Sequence, residues 1–371
     1  MHATVGFPAI PGGIAAILAQ PGRARRPAPA PNAPSIRTLQ ATRDPTMCTR
    51  VYYETGLGTY LTGRTMDWSD VGMATDLWTF PRGMKRDGGT GADALTWTST
   101  YGSTVVAIYD MATSDGLNEA GLAGNLLYLV ESDYGDAAAR GKPTISVGAW
   151  LQYILDSFAT VAEAVAALEP DPFTVVSANA PNGKPASVHL SLSDAGGDSA
   201  ILEFVGGALT IHHGADFRVM TNSPVYEQQL AIDGYWSLVG GQHFLPGTIA
   251  AADRFARASY NLRSTPKFED RRAGLAAIFS QMRAISTPLG LSDPEKPNIA
   301  STLWRTVSEH DARRYYFDSV INPTVMWLDL DKVDLSEGAP AMKLPLNDPR
   351  DAGGNVSSQL VPATPFEFLL P

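Results

Sequence analysis

Cys48 is the only cysteine in the chain, and Arg64 follows sixteen residues later, with Asp67 three further on inside Gly63-Arg64-Thr65-Met66-Asp67-Trp68. With no second cysteine an internal disulfide is excluded, so Cys48 serves either packing or reactivity. Packing is the ordinary use of a free cysteine. A catalytic thiol must instead become a thiolate, through a neighbouring base or a lowered pKa. At a free N-terminus the cysteine's own α-amino group, of pKa about 8, can take the proton. Met47 directly precedes Cys48, and cysteine is small enough for ordinary removal of an initiating methionine. With Cys48 exposed in this way, Arg64 would stabilise the thiolate and Asp67 would hold the α-ammonium. An Arg and an Asp three residues apart are otherwise a common solvated pair.

Those residues need elements that bring them together. Residues 48–53 (Cys-Thr-Arg-Val-Tyr-Tyr) alternate as a β-strand, and 58–62 reads as a hairpin partner that returns Arg64 and Asp67 to the strand's first residue. Further on, 105–111 and 122–130 are apolar runs bounded by the turn signals Asp115-Gly116 and Ala120-Gly121. From Ser146 to Leu168, apolar residues recur at three and four and predict one helix, stopped by Pro170. Four β-type runs follow at 187–193, 200–205, 209–212 and 217–220, then helices at about 248–263 and 270–285. Strands are expected at 304–307, 314–320 and 325–329.

Four segments carry a family resemblance. They are Met47-Cys48-Thr-Arg with Gly63-Arg-Thr-Met-Asp-Trp68; Asp115-Gly-Leu-Asn-Glu-Ala-Gly-Leu-Ala123 with Asn125 and Tyr128; Val219-Met-Thr-Asn-Ser-Pro224 with Tyr226 and Gln229; and Leu245-Pro-Gly247 leading to Asp253-Arg-Phe255. Together, and in this order from Cys48 to about Asp331, the chain resembles the choloylglycine hydrolase family of N-terminal-nucleophile (Ntn) hydrolases, which includes bile salt hydrolases and penicillin V acylases. The resemblance implies Cys48 as nucleophile with its own amine as general base, and Arg64 and Asp67 as the groups that tune and orient that end. It implies Asn222 as a side-chain oxyanion donor, Tyr128 as a backbone N–H donor to the same oxyanion, and Arg254 as stabiliser of the charged intermediate. Asn-Ser-Pro at 222–224 is also plain turn chemistry. The fold implied is α+β, a four-layer αββα sandwich of two antiparallel sheets between helix layers, and the order of elements agrees with it.

The chain departs from the family's bile salt branch in two places. Tyr128 stands where bile salt hydrolases carry an Asn. The interval from Asn222 to Arg254 is only 32 residues, without the extra segment that helps assemble the Gram-positive tetramers. The short interval resembles the Gram-negative branch, and Tyr128, which penicillin V acylases often carry there, weakens the bile salt assignment. The expected activity is hydrolysis of linear, non-peptide amides, with phenoxyacetyl amides first, conjugated bile salts second and long-chain N-acyl homoserine lactones third. Trp68, Trp78 and Phe80 are candidates for an aromatic acyl pocket, although aromatics near strand ends commonly serve the core.

With 371 residues, 44% hydrophobic and 18% charged, the chain has ample material for a core. A net charge of −10 argues against nucleic-acid and anionic-membrane partners. No apolar run approaches the roughly 20 residues of a membrane helix. The expected partner is a small acyl amide, and a homo-oligomer is expected. No cofactor is expected. His212-His213 sit on opposite faces of a strand and make a poor shared metal site.

Residues 1–46 hold eight prolines, five arginines, one aspartate and no glutamate or lysine, a composition that predicts disorder. Their arginines come after the apolar stretch, the reverse of a secretory signal, which slightly favours the cytoplasm over the periplasm. Residues 1–47 are thus either a propeptide cut before Cys48 or an upstream extension with translation starting at Met47, the second being preferred, and 48–371 form the catalytic domain. Two readings of other classes stand beside this one. One is a papain-like thiol enzyme using an internal Cys48 with His189 or His243; the other is a non-catalytic acyl-ligand binding protein on the same scaffold.

Overall fold

A computed structural model describes residues 48–181, 183–240, 244–291, 300–346 and 353–371. The first two strands, Thr49–Glu54 and Tyr60–Trp68, form the expected hairpin, but the second runs longer than its apolar start suggests. Arg64 and Asp67 therefore lie within that strand. They enter a seven-stranded sheet with the order Val219–Met220, Thr49–Glu54, Tyr60–Trp68, Ser301–Glu309, Arg314–Ser319, Met326–Asp329 and Gly354–Asn355. A nine-stranded sheet faces it, in the order Ala208–His213, Ser199–Val205, Val188–Ser193, Ala123–Tyr128, Ala112–Asn118, Ser103–Ile108, Thr75–Phe80, Met342–Pro345 and Val361–Pro362. Nearly all pairings are antiparallel; Met326–Asp329 with Gly354–Asn355 is parallel.

Helices Ala251–Ser264 and Arg271–Ile285 cover the outer face of the first sheet, and helices Val147–Ser157 and Val161–Leu168 cover the second. The four layers are the expected αββα. One core lies between the sheets, built from residues such as Met66, Leu77, Leu117, Leu127 and Ile201. A second lies beneath the Val147–Ser157 helix, with Trp78, Phe80, Leu126, Trp150 and Leu190. Both faces of the central strands are buried, so those strands read as near-continuous apolar runs in the sequence.

Asp115-Gly116 is not a turn. It lies inside the Ala112–Asn118 strand, paired with Asn125 and Gly124. The chain reverses instead at Tyr109 and Asp110, whose φ values are 55° and 49°, and at Gly121, φ 92°. Asp115 is tolerated in a central strand because buried partners meet its carboxylate. Gly116 is required there because a Cβ would stand 2.8 Å from Leu155 Cδ1 and from the Thr104 carbonyl.

The expected helix from Ser146 to Leu168 is two helices, Val147–Ser157 and Val161–Leu168. Between them Thr160 caps the second helix by accepting the Glu163 N–H at 3.2 Å, while the Glu163 carboxylate accepts the Ala159 N–H at 2.8 Å. This reciprocal Thr-x-x-Glu cap starts a new helix in spite of the continuing apolar period. Helix Tyr226–Val239 was not expected from the pattern, and only Val219–Met220 of the 217–220 run is a strand.

Candidate active site

Hairpin register places the neighbours of Cys48. Thr49 pairs with Thr65 and Arg50 with Arg64, so Cys48, one step outside the ladder, lies beside Met66. Its Sγ is 3.9 Å from Met66 Sδ and 3.8 Å from the Asp67 carbonyl, and Arg64 Nη2 approaches it at 3.9 Å. Strand alternation sends Cys48, Arg50, Arg64 and Met66 toward the second sheet, and Thr49, Thr65 and Asp67 toward the helices. Two arginines directly opposed on one face repel. Each is satisfied elsewhere: Arg50 donates to the Leu192 and Phe217 carbonyls and to Ser199 Oγ at 3.0–3.1 Å.

Arg64 is fully buried and has its own counter-charge. Its Nη1 lies 3.7 Å from Asp115 Oδ2, Nη2 donates to the Leu126 carbonyl at 3.0 Å, and the guanidinium sits 4.6 Å from the Trp304 ring. Asp115 is also held by Asn125 Nδ2 at 2.7 Å, Thr306 Oγ1 at 3.2 Å and the Tyr315 hydroxyl. Asp115, Thr306, Tyr315 and Trp304 were not singled out in the sequence as site residues. Asp115 opens one of the family-like segments, but its pairing with Arg64 spans the two sheets and carries no local signal.

On the helix side, Arg254 gathers the strand's first residues. Nη1 donates to the Cys48 carbonyl at 2.7 Å and to Thr49 Oγ1, and Nη2 donates to Asn222 Oδ1 at 3.1 Å. Asp67 Oδ1 accepts from Thr302 Oγ1 at 2.5 Å, while Oδ2 lies 3.7 Å from Arg254 Nη1 with no hydrogen-bond partner of its own. Asn222 Oδ1 also accepts the Cys48 N–H, and its Nδ2 donates to the Tyr128 carbonyl at 2.6 Å. The amide orientation is fixed from behind by Gln229, whose Nε2 donates to the Asn222 and Pro224 carbonyls. The structure thus brings together Cys48, Arg64, Asp67, Tyr128, Asn222 and Arg254, which belong to distant segments.

Electrostatics favour the neutral thiol. Burial pushes the Cys48 thiol up, against the pull of the Arg64 guanidinium. Burial also raises the Asp67 carboxyl, to about 6, with Arg254 and the Thr302 hydrogen bond opposing it. A carboxyl raised by folding stabilises the fold while protonated; that contribution is complete below about 3.9 and is lost as pH rises through about 6. With the Cys48 nitrogen in a peptide bond, wild-type stability relative to Asp67→Asn should therefore fall between pH 3.5 and 7.5. The change expected is about 3 kcal/mol, read by urea unfolding. A flat difference across that range would show that Asp67 ionises as an ordinary carboxyl.

A cavity of about 90 Å³ opens on Cys48 and is lined almost wholly by apolar atoms. Trp68 and Tyr128 line it, their rings 6.3 Å apart, and Trp68 Nε1 donates to the Tyr109 hydroxyl at 2.9 Å. Trp78 and Phe80 do not. Both lie in the core beneath the helix layer, stacked on each other at 5.6 Å and against Phe366. Period-two spacing correctly puts them on one face of their strand, but that face is turned away from Cys48.

His189 is not beside the thiol. Its Nδ1 meets Glu203 Oε1 at 2.9 Å and its Nε2 the Thr221 carbonyl at 2.7 Å, so both ring nitrogens are occupied. His310 bonds the Gly121 carbonyl and Thr62 Oγ1, both at 2.7 Å. His212 packs on Phe217 and Tyr226, and His213 pairs with Asp198 at 2.7 Å. His243 lies outside the described residues.

Comparison with known proteins bears on the same constellation. The sequence profile of the linear amide C-N hydrolases, choloylglycine hydrolase family, matches residues 48–351. A penicillin V acylase of Pectobacterium atrosepticum is 44% identical over 345 residues, covering 86% of this chain and 92% of that protein. The structure of a penicillin V acylase from Agrobacterium tumefaciens superposes with a TM-score of 0.81 at 46% identity, over 87% of this chain and 100% of the other. A bile salt hydrolase/transferase of Clostridium perfringens is 25% identical over 78% of this chain and 94% of its own length. The chain therefore belongs to the choloylglycine hydrolase family and is a hydrolase of linear amide C–N bonds.

Proposed function

We propose that the enzyme acts through Cys48 as an N-terminal nucleophile once residues 1–47 are absent, on acyl amides of the phenoxyacetyl class. The observation that carries this reading is the surroundings of the Cys48 nitrogen. It is held by Asn222 Oδ1; Arg254, which binds the Cys48 carbonyl, also faces the buried Asp67 Oδ2 at 3.7 Å, an oxygen without a hydrogen bond, and among the described residues no histidine hydrogen-bonds the thiol. A peptide N–H cannot accept a proton, whereas a free α-amine can, and its ammonium would supply the hydrogen bond that Asp67 Oδ2 lacks. The family match beginning at Cys48 supports the same boundary.

The amine takes the thiol proton and the thiolate attacks the acyl carbonyl. Arg64, whose Nε and Nη1 have no hydrogen-bond partner, stabilises the developing sulfur charge. The oxyanion is held by the Asn222 amide and the Tyr128 backbone. Collapse breaks the C–N bond as the ammonium returns its proton to the leaving amine. The α-amine then draws a proton from water, which attacks the Cys48 thioester and releases the acid.

A phenoxyacetyl group fits an apolar cavity walled by Trp68 and Tyr128, and two relatives at 44% and 46% identity are penicillin V acylases. Amine release measured on penicillin V and on glycine-conjugated bile salts tests this assignment. At least a tenfold preference in kcat/KM for the phenoxyacetyl amide is expected; the reverse ranking would overturn it. The papain-like alternative loses His189, which is committed to Glu203 and Thr221. A homo-oligomer is supported by Tyr235, Leu238, Val239 and Phe244, all exposed on and just beyond helix Tyr226–Val239.

A further inference from the structure

The cavity is also lined by the chain's last segment, which the catalytic constellation does not use. The ladder between Ala112–Asn118 and Ala123–Tyr128 consists of Asp115↔Asn125, Gly116↔Gly124 and Leu117↔Ala123. Toward Ala112 and Tyr128 the two strands part, and the cavity occupies the gap. Its lining takes Cys48 and Met66 from the core between the sheets, and Leu126 and Val147 from the core under the helices. A path thus leads from the nucleophile through the nine-stranded sheet to its helix side.

Leu369 stands on that path. Its N–H donates to the Met111 carbonyl at 2.7 Å and its carbonyl accepts from Ser146 Oγ. Three residues earlier Phe366 is wedged against Trp78 and Phe80, at 5.6 and 5.9 Å, and Phe368 is buried beside Trp97. The Leu369 side chain is therefore held by its backbone and both flanks; it is partly buried, packs against the core beneath the helices and lines the cavity.

We propose that Leu369 is the floor of the acyl pocket and a specificity-determining residue, whose size sets how long an unbranched acyl group the pocket favours. This rests on the reading of Cys48 as the acylated nucleophile. Reducing the side chain extends the pocket along the segment 363–371, and enlarging it shortens the pocket.

The test uses the full chain as wild type, Leu369→Ala and Leu369→Trp, with phenoxyacetyl, hexanoyl and decanoyl p-nitroanilides. The decanoyl to phenoxyacetyl ratio of kcat/KM should rise about tenfold in Leu369→Ala and fall about tenfold in Leu369→Trp, the scale of a few methylenes in an apolar pocket. A ratio taken within one preparation is unaffected by the fraction folded. Ratios unchanged within twofold in both variants, with hydrolysis intact, would overturn the floor and leave the Cys48 reading standing. If no variant and not the wild type hydrolyses any anilide, the Cys48 reading fails instead. Calorimetric titration with decanoate and phenoxyacetate then decides the floor: the same tenfold shifts in the Kd ratio uphold it, and an unmoved ratio overturns it.

Discussion

Cys48→Ser should lose turnover by a factor on the order of 10⁴ or more, with little change in fold. A hydroxyl holds its proton far above the reach of an α-amine of pKa about 8, and the positive field of Arg64 and Arg254 helps only a group that becomes an anion. The thiol's contacts are weak ones, 3.8 to 3.9 Å to Met66, Asp67 and Arg64, so an oxygen in its place disturbs packing slightly. The measurement is kcat on a phenoxyacetyl amide, beside mass spectrometry of wild type after a thiol alkylating agent. Loss of activity in step with modification of Cys48 is expected. A serine variant within tenfold of wild type would remove Cys48 from the chemistry.

Asn222→Ala should lower kcat by about 10²–10³ through the missing oxyanion donor. The residue also joins three segments: Oδ1 takes the Cys48 N–H and Arg254 Nη2, and Nδ2 holds the Tyr128 carbonyl. Truncation leaves those buried groups unpaired, so stability should fall as well, by about 1–3 kcal/mol. Asn222→Asp separates the two effects, because it keeps the acceptor for the Cys48 nitrogen and for Arg254 but offers no N–H. A loss in kcat as large as that of alanine, with better retained stability, is expected from enzyme that begins at Cys48. Normal turnover in processed Asn222→Ala would exclude it from the oxyanion hole.

Much of this site was legible because one hairpin carries half of it. The alternation of 48–53 and the return through 60–68 place Cys48, Arg64 and Asp67 within two turns of side-chain alternation. The rest depended on tertiary contacts. Asp115-Gly116 has turn composition, yet the strand wins because Arg64, Asn125, Thr306 and Tyr315 meet the carboxylate and Leu155 fills the space a side chain would need. Trp78 and Phe80 show the limit of periodicity: it tells which residues share a face but not which layer that face meets. The break at Thr160 was readable, since Thr-x-x-Glu is a helix start, but the apolar period running through it hid the signal. Leu369 lies some three hundred residues from Cys48 and lines the same cavity, a juxtaposition that only the folded sheet creates.

The central claim is that the base is the α-amine of Cys48. It is tested most directly by determining the N-terminal residue of active enzyme purified from the whole reading frame. The account predicts Cys48 at the first position, with the fraction of chains so processed tracking specific activity. Full activity in chains that retain Met47 would contradict it, because a peptide nitrogen cannot take the thiol proton.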